Sequence, residues 1–206
     1  MTRLSWLKQL YKQVFFMDKR AIFLDRDGVI NVEKNFVLSP DEIELYPFSA
    51  QAIRKINEAD FLVIVITNQS AVARNFITIE QLQGIHDELQ NQLKKEGAWL
   101  DAIYFCPHRE KLDEGVRNSE YIIDCECRKP KPGMLLRAAE EFGIDLDDSY
   151  FIGDSERDII AGNRAGCTTI GVRTGHSLNG MKESPDYIFD DLDEAVNFIL
   201  DREEKN

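Results

Sequence analysis

Short apolar segments alternate along the chain with longer segments in which apolar residues recur at helical spacing. The short segments are typical of buried strands and lie at residues 21–24, 61–66, 102–105, 150–154, 168–172 and 187–189. The longer segments predict helices over about 49–59, 78–97, 134–143, 155–165 and 193–200. Strands that alternate with helices favour an α/β domain built on a doubly wound parallel sheet.

The ends of the predicted helices carry capping signals. Ser49 is a candidate N-cap of the first helix, and Thr78 with Gln81 has the spacing of a capping box. Gly143 is typical of the position just after a helix, because glycine adopts left-handed backbone angles without strain. Residues 31–48 and 109–124 are irregular or polar and predict loops.

Residues 1–17 form a basic segment whose apolar positions also recur at helical spacing. The pattern predicts an amphipathic extension ahead of a domain that spans 18–206, with Met17 as an alternative start. No apolar run in the chain reaches the length that a membrane-spanning helix needs. We therefore expect no membrane span.

Composition limits the kinds of partner that the protein can have. Apolar residues make up 43% and charged residues 30% of the 206 residues, which is typical of a soluble domain with a hydrophobic core. The formal net charge is −12, so the surface repels nucleic acid and anionic membranes. We therefore expect neither nucleic acid nor a membrane as a partner, and we expect a cytoplasmic monomer.

The predicted strands end in side chains that suit phosphate chemistry. These are Asp25 and Asp27 after the first strand, Thr67 and Asn68 after the second, and Asp154 and Asp158 after the fourth. Lys129 lies apart from the strand ends, on a proline-flanked loop. The carboxyl ends of parallel strands meet at one edge of a sheet. Carboxylates suit Mg²⁺, and hydroxyl, amide and ammonium groups donate to phosphoryl oxygens. An isolated Asp-x-Asp-Gly is more often a plain turn, so the common position of all these groups carries the prediction.

Three of the four cysteines cluster in the sequence with a histidine. Cys106-x-His108 and Cys125-x-Cys127 flank the polar loop and supply three thiolates and an imidazole, which is a donor set for tetrahedral Zn²⁺. Three thiols cannot all pair as disulfides, and a cytosolic chain keeps them reduced. The pattern predicts a zinc-stapled loop, with buried thiols that bind no metal as the alternative. Cys167 is expected to pack in the core.

The motifs resemble those of the haloacid dehalogenase superfamily of phosphohydrolases. In chain order they are Asp25-x-Asp27-Gly28, Thr67, Lys129 and Gly153-Asp154-x-x-x-Asp158. The resemblance implies a Rossmann-like fold and a covalent route in which Asp25 attacks phosphorus while Asp27 acts as general acid and then general base. It also implies Mg²⁺ held by the Asp25 carboxylate, the Asp27 carbonyl and Asp154, with phosphoryl oxygens neutralised by Thr67 and Lys129.

Further segments narrow the resemblance. Asp-Arg-Asp-Gly-Val-Ile-Asn, Thr-Asn-Gln-Ser, Cys-Pro-His and Cys-x-Cys-Arg-Lys-Pro-x-Pro-Gly-Met are similar to those of the heptose 1,7-bisphosphate phosphatases. That likeness implies no large cap domain, a structural zinc loop in its place, and a small phosphorylated sugar as substrate, whose second phosphate Arg128 would contact. The residues it implies for substrate binding are Glu33, Lys34, Asn35, Phe36, Thr67, Asn68, Gln69, Ser70, Arg128 and Lys129. A histidinol-phosphate phosphatase is the nearest alternative, and a non-catalytic zinc-stabilised binding module is an alternative of another class.

Some positions depart from the pattern of these relatives. Ala71 and Asn75 stand where relatives commonly have glycine, which puts the turn that carries Arg74 in question. Ser155 stands where relatives are often basic, which removes one expected phosphate contact. His86 and His176 are expected at exposed positions on a helix and on a loop, and the sequence assigns neither of them a role.

Overall fold

The computed structural model describes residues 19–111 and 118–205, so the predicted extension at 1–17 lies outside the described residues. Within these ranges six strands form one sheet: β1 (Arg20–Leu24), β2 (Phe61–Asn68), β3 (Ala102–Cys106), β4 (Tyr150–Gly153), β5 (Thr168–Val172) and β6 (Tyr187–Phe189). Every pairing is parallel, and the order is β3-β2-β1-β4-β5-β6. The predicted doubly wound α/β fold is confirmed.

Five α-helices cover the two faces of the sheet in the described part of the chain: α1 (Ser49–Asn57), α2 (Ile79–Lys95), α3 (Gly133–Phe142), α4 (Glu156–Ala165) and α5 (Leu192–Glu203). Two short 3-10 helices, Pro40–Glu42 and Ser119–Tyr121, lie in the loops. Ile22 and Leu24 of β1 face the core that α1, α2 and α5 complete. Ala21 and Phe23 face the opposite core, which α3 and α4 complete. Side chains alternate along a strand, so each apolar strand supplies both cores. None of these helices is long and apolar enough to cross a membrane.

The strand order places β1 at the centre of the sheet. The chain runs from β1 outward to β2 and β3, then returns to the other side of β1 for β4. Ligand sites of open α/β sheets lie at such a reversal, beyond the carboxyl ends of the strands. The backbone N–H of Asp25 donates to Ile152 O at 3.0 Å, which holds the first residue after β1 beside β4.

The capping predictions have different outcomes. Gln81 N donates to Thr78 Oγ1 and Thr78 N donates to Gln81 Oε1, so the predicted capping box is confirmed. Gly143 follows α3 with φ of 70°, also as predicted. The N-cap assignment of Ser49 is wrong: Phe48 occupies that position, and the buried Ser49 hydroxyl donates to Ile30 O at 2.6 Å. This hydroxyl satisfies a carbonyl of the loop after β1 instead of the helix terminus. Cys167 is buried in the core, as expected.

Candidate active site

Beyond the carboxyl end of β1, the buried ammonium group of Lys129 lies between two carboxylates. Lys129 Nζ lies 2.9 Å from Asp25 Oδ1 and 2.6 Å from Asp158 Oδ1, and it donates to Ile66 O at 2.7 Å. Burial lowers the pKa of Lys129, but Asp158 and Asp25 more than offset it, so the net pKa is raised. Burial also raises the pKa of Asp25 well above its usual range; Asp158 and Asp154 add to this, against the effect of Lys129. Lys129 is thus held as a cation where carboxylates are crowded.

The carboxylates outnumber that cation. Asp25, Asp154 and Asp158 each offer an oxygen within 4.8 Å of the others. Gly28, with φ of +81°, leaves room for the Asp154 carboxylate, since a Cβ there would lie 2.3 Å from Asp154 Oδ2. Burial raises the pKa of Asp154, and Asp158 raises it further. A cluster of oxygen donors with excess negative charge fits a divalent cation such as Mg²⁺.

Asp27 occupies a cradle of donors beside this cluster. The Arg26 Nη2 atom lies 2.8 Å from both oxygens of Asp27, while Asn31 Nδ2 and Gln69 Nε2 each donate at 2.9 Å. Burial alone would raise the pKa of Asp27, but Arg26, Asn31 and Gln69 lower it below its usual range. The Arg26 side chain is fully buried. Sequence reasoning assigned Arg26 no role.

The residues after β2 connect these groups. Gln69 Nε2 also donates to Thr67 Oγ1 at 2.8 Å, which ties the hydroxyl to the Asp27 cradle. Asn68 Nδ2 donates to Lys129 O at 3.0 Å and Lys129 N donates to Asn68 Oδ1 at 3.1 Å. The Asn68 amide therefore fixes the backbone that carries Lys129. The side chains of Asn68, Gln69 and Ser70 line one cleft, which Asp25, Asp27 and Lys129 also line.

The predicted loop at 33–36 reaches the cleft with all but one of its side chains. Glu33, Asn35 and Phe36 line a cavity of about 230 Å³ together with Asp25, Asp27 and Lys129. Burial raises the pKa of Glu33. Lys34 is not among the lining residues; its ammonium lies 2.8 Å from Glu44 Oε2 and donates to Glu42 O. The structure thus does not bring Lys34 together with the other predicted substrate-binding residues.

The two histidines expected at exposed positions differ from each other in the structure. His86 is buried, at 2% exposed, so its predicted exposure is wrong. Its ring packs against Phe105, and burial with the nearby Arg26 lowers the pKa of His86 to about 3. His176 is exposed, as expected, yet both its N–H and Nδ1 lie within hydrogen-bond distance of Asp154 Oδ2. No local signal marks this contact, because the two residues are 22 positions apart.

The Cys/His cluster forms beside the cleft. Sγ of Cys127 lies 3.1 Å from that of Cys106 and 3.2 Å from that of Cys125, and His108 Nδ1 lies 3.3 Å from it. Four ligands about 2.0 to 2.3 Å from a central ion lie within about 4 Å of one another. The four side chains could therefore hold Zn²⁺. Arg128 Nη1 donates to His108 O at 2.9 Å, so the cluster supports the guanidinium that lines the cleft.

The departures from the relatives' pattern have local explanations. Asn75 adopts φ of 58°, a left-handed conformation that Asn tolerates, and Arg74 N donates to Ser70 O at 3.1 Å, so the turn forms. The Arg74 guanidinium lies 5.5 Å from the ring of Phe36. Ser155 occupies the N-cap position of α4, and its N and Oγ both donate to Asp158 Oδ2, at 3.1 and 2.5 Å, so the Asp158 carboxylate satisfies the free N–H at the start of the helix. Two residues later, exposed Arg157 lines the same cleft as Arg128.

Comparison with known proteins gives consistent matches. The HAD-hydrolase-like family model matches residues 126–195. D-glycero-beta-D-manno-heptose-1,7-bisphosphate 7-phosphatase of Pasteurella multocida (strain Pm70) is 36% identical over 88% of this chain and 97% of its own length. D-glycero-D-manno-heptose-1,7-bisphosphate 7-phosphatase of Thermosynechococcus vestitus is 38% identical over 89% of this chain and 96% of its own length. The crystal structure of D,D-heptose 1,7-bisphosphate phosphatase from B. bronchiseptica, complexed with magnesium and phosphate, has 37% identity and a TM-score of 0.77, covering 89% of this chain and 99% of that one.

Proposed function

The chain belongs to the heptose 1,7-bisphosphate 7-phosphatases of the haloacid dehalogenase superfamily, and from this premise we propose that it removes the C7 phosphate of D-glycero-D-manno-heptose 1,7-bisphosphate. The observation that carries the proposal is Lys129, held between Asp25 and Asp158 in a cleft that Arg128 also lines. The reaction would serve the synthesis of nucleotide-activated heptose. We propose that it takes place in the cytoplasm and that the enzyme acts as a monomer.

Asp25 is the proposed nucleophile. Its carboxylate attacks phosphorus, the bond from phosphorus to the C7 oxygen breaks, and an aspartyl-phosphate forms. Thr67 Oγ1 and Lys129 Nζ, which line the same cleft, would donate to the phosphoryl oxygens as their charge develops. Mg²⁺, held by Asp25, the carbonyl of Asp27 and Asp154, would supply further positive charge when bound.

Asp27 is the proposed general acid and then general base. It would protonate the departing C7 oxygen and later take a proton from the water that cleaves the aspartyl-phosphate. Burial raises the pKa of Asp27, but the donors Arg26, Asn31 and Gln69 together lower it by more. The net effect favours the charged form of Asp27. A phosphate group bound next to Asp27 adds negative charge and shifts its pKa upward, toward the acid form that the first step needs.

The two arginines that line the cleft favour a bisphosphate over a monophosphate as the substrate. Arg128 and Arg157 line the cavity that contains Asp25, and they lie close enough for Arg157 to contribute to lowering the pKa of Arg128, after burial as the main cause. A guanidinium offers a forked set of donors that suits phosphate. Histidinol phosphate carries an amine where the bisphosphate carries an anion, and two arginines would repel it. A non-catalytic binding module, in turn, would have no need for so costly a group of buried charges.

Phosphate release in the presence of Mg²⁺ tests the proposal. The substrates are both anomers of heptose 1,7-bisphosphate, heptose 7-phosphate, histidinol phosphate and an aryl phosphate. We expect kcat/KM for one bisphosphate anomer to exceed the other values by about a hundredfold, which is roughly 2.7 kcal/mol. Arg128→Ala and Arg157→Ala should each reduce this preference while aryl phosphate is still hydrolysed. A preference for histidinol phosphate would overturn the substrate assignment.

A further inference from the structure

The loop after β5 folds back onto the carboxylate cluster. Thr174 Oγ1 donates to Gly28 O at 2.5 Å, and Tyr46 Oη donates to Thr174 O at 2.7 Å. A Cβ at Gly175 would lie 1.9 Å from Asp154 Oδ2 and 2.8 Å from Gly28 Cα, so only glycine fits there. These contacts fix the backbone position of the next residue, His176.

His176 makes two contacts to one oxygen of Asp154. Its backbone N–H donates to Oδ2 at 2.7 Å, and Nδ1, with its proton assigned there, lies 2.8 Å from the same atom. Neither contact involves Oδ1. A carboxylate free to rotate would present either oxygen to the cluster. Two donors on Oδ2 hold it against the loop, which leaves Oδ1 as the oxygen available to a cation.

We infer that His176 is a positioning residue, which orients the Asp154 carboxylate for the divalent cation through the Nδ1 donor. The inference rests on the proposed function, because it assumes the Mg²⁺-dependent phosphatase. An imidazole nitrogen is a poor ligand for Mg²⁺, which prefers oxygen, so we assign His176 the role of a donor to the ligand and not of a ligand. Residues that orient metal ligands commonly change affinity about 10- to 100-fold when they are replaced.

Three substitutions at position 176 separate orientation from simple packing. His176→Ala removes the Nδ1 donor but keeps the backbone N–H. His176→Asn places an amide N–H close to the position of Nδ1, whereas His176→Gln places its amide one bond further out. Asn179→Ala changes an exposed residue of the same loop whose one described contact is a bond from its backbone N to Ser177 Oγ, and it serves as the control.

Mg²⁺ affinity is measured on each full-length protein by calorimetry and by the rise of Tm with MgCl₂, and the Mg²⁺ constant for hydrolysis of an aryl phosphate is measured alongside. We expect His176→Ala and His176→Gln to bind Mg²⁺ about tenfold more weakly or worse. His176→Asn should recover to within about threefold of the parent protein, and Asn179→Ala should match it.

An unchanged Mg²⁺ constant in His176→Ala would overturn the inference, and so would equal losses in His176→Asn and His176→Ala. Either result leaves the proposed function in place if the parent protein binds Mg²⁺ and hydrolyses the bisphosphate. A parent protein that neither binds nor needs Mg²⁺ would overturn the metal-dependent mechanism and this inference together. The parent protein therefore distinguishes the two failures.

Discussion

Lys129 Nζ lies 2.9 Å from Oδ1 of Asp25, and only 2% of the Lys129 side chain is exposed. The ammonium group therefore faces the proposed nucleophile in a setting with little solvent screening. It has two tasks in the proposed mechanism. It neutralises carboxylates in the resting protein, and it donates to the phosphoryl oxygens during the reaction.

Lys129→Met should impair both tasks. Removing one partner of a buried ion pair leaves an uncompensated charge, so the free energy of unfolding should fall by about 3 to 5 kcal/mol without metal. Loss of one donor to the developing charge should lower kcat by about a hundredfold to a thousandfold. Urea unfolding and steady-state hydrolysis of an aryl phosphate measure the two effects.

Lys131→Met is the matched control for that substitution. Lys131 pairs with Asp124 and Glu126 near the surface, where an ion pair contributes about 1 kcal/mol or less. We expect its stability and activity to stay near those of the parent protein. A Lys129→Met protein with the stability and the kcat of this control would contradict the assigned roles of Lys129.

His86 should make the protein sensitive to moderate acid. Its pKa is about 3 in the folded state against an ordinary value of 6.5, because burial and Arg26 disfavour the charged ring. A lowered folded pKa contributes stability above pH 6.5 that is lost as the pH falls from there toward 3. The contribution of His86 should fall by about 1 kcal/mol between pH 7 and pH 5.5.

His86→Gln removes the titrating group and keeps a polar side chain. Urea unfolding at pH 7 and pH 5.5 should therefore show a smaller acid loss in the variant than in the parent protein, by about 1 kcal/mol. If the two proteins lost the same free energy of unfolding in acid, the pKa of His86 would not differ between the folded and unfolded states as proposed.

Zinc removal should affect substrate preference more than the chemical step. Arg128 Nη1 donates to His108 O, so the loop that carries the Cys/His cluster also supports the proposed reader of the second phosphate. We expect about one zinc ion per chain by elemental analysis, and less in Cys127→Ser. The variant should lose its preference for the bisphosphate while hydrolysis of an aryl phosphate changes only a few-fold. Retained preference in a zinc-free protein would contradict this link.

Local sequence patterns predicted much of the fold. Thr78 and Gln81 form their capping box, and Gly143 ends α3, because both features depend on residues within one helical turn. Strand periodicity and the order of elements were sufficient for the parallel sheet. Asp25, Thr67 and Asp154 could be grouped because parallel strands deliver their ends to one edge, whereas Lys129 lies on a loop and its place among them rests on the family resemblance.

Tertiary contacts explain what the sequence did not predict. Ser49 has the chemistry of an N-cap, but its hydroxyl satisfies Ile30 O from the preceding loop. His86 is an exception: it follows Leu82 by four residues and precedes Leu89 by three, so helical spacing does place it on the buried face of α2, where its ring packs against Phe105. Lys34 pairs with Glu44, and His176 reaches Asp154 across 22 residues. The contacts of Ser49, Lys34 and His176 each depend on a partner outside the local segment, so periodicity and spacing carry no signal for them.

Rapid acid quench with an aryl phosphate that carries a radiolabelled phosphoryl group tests the central claim most directly. An aryl leaving group needs little protonation, so Asp27→Asn should still form the aspartyl-phosphate but hydrolyse it slowly. With Mg²⁺, we predict label on the peptide that contains Asp25 in Asp27→Asn, and none in Asp25→Asn. Unlabelled Asp27→Asn protein, or label that persists in Asp25→Asn, would contradict Asp25 as the nucleophile.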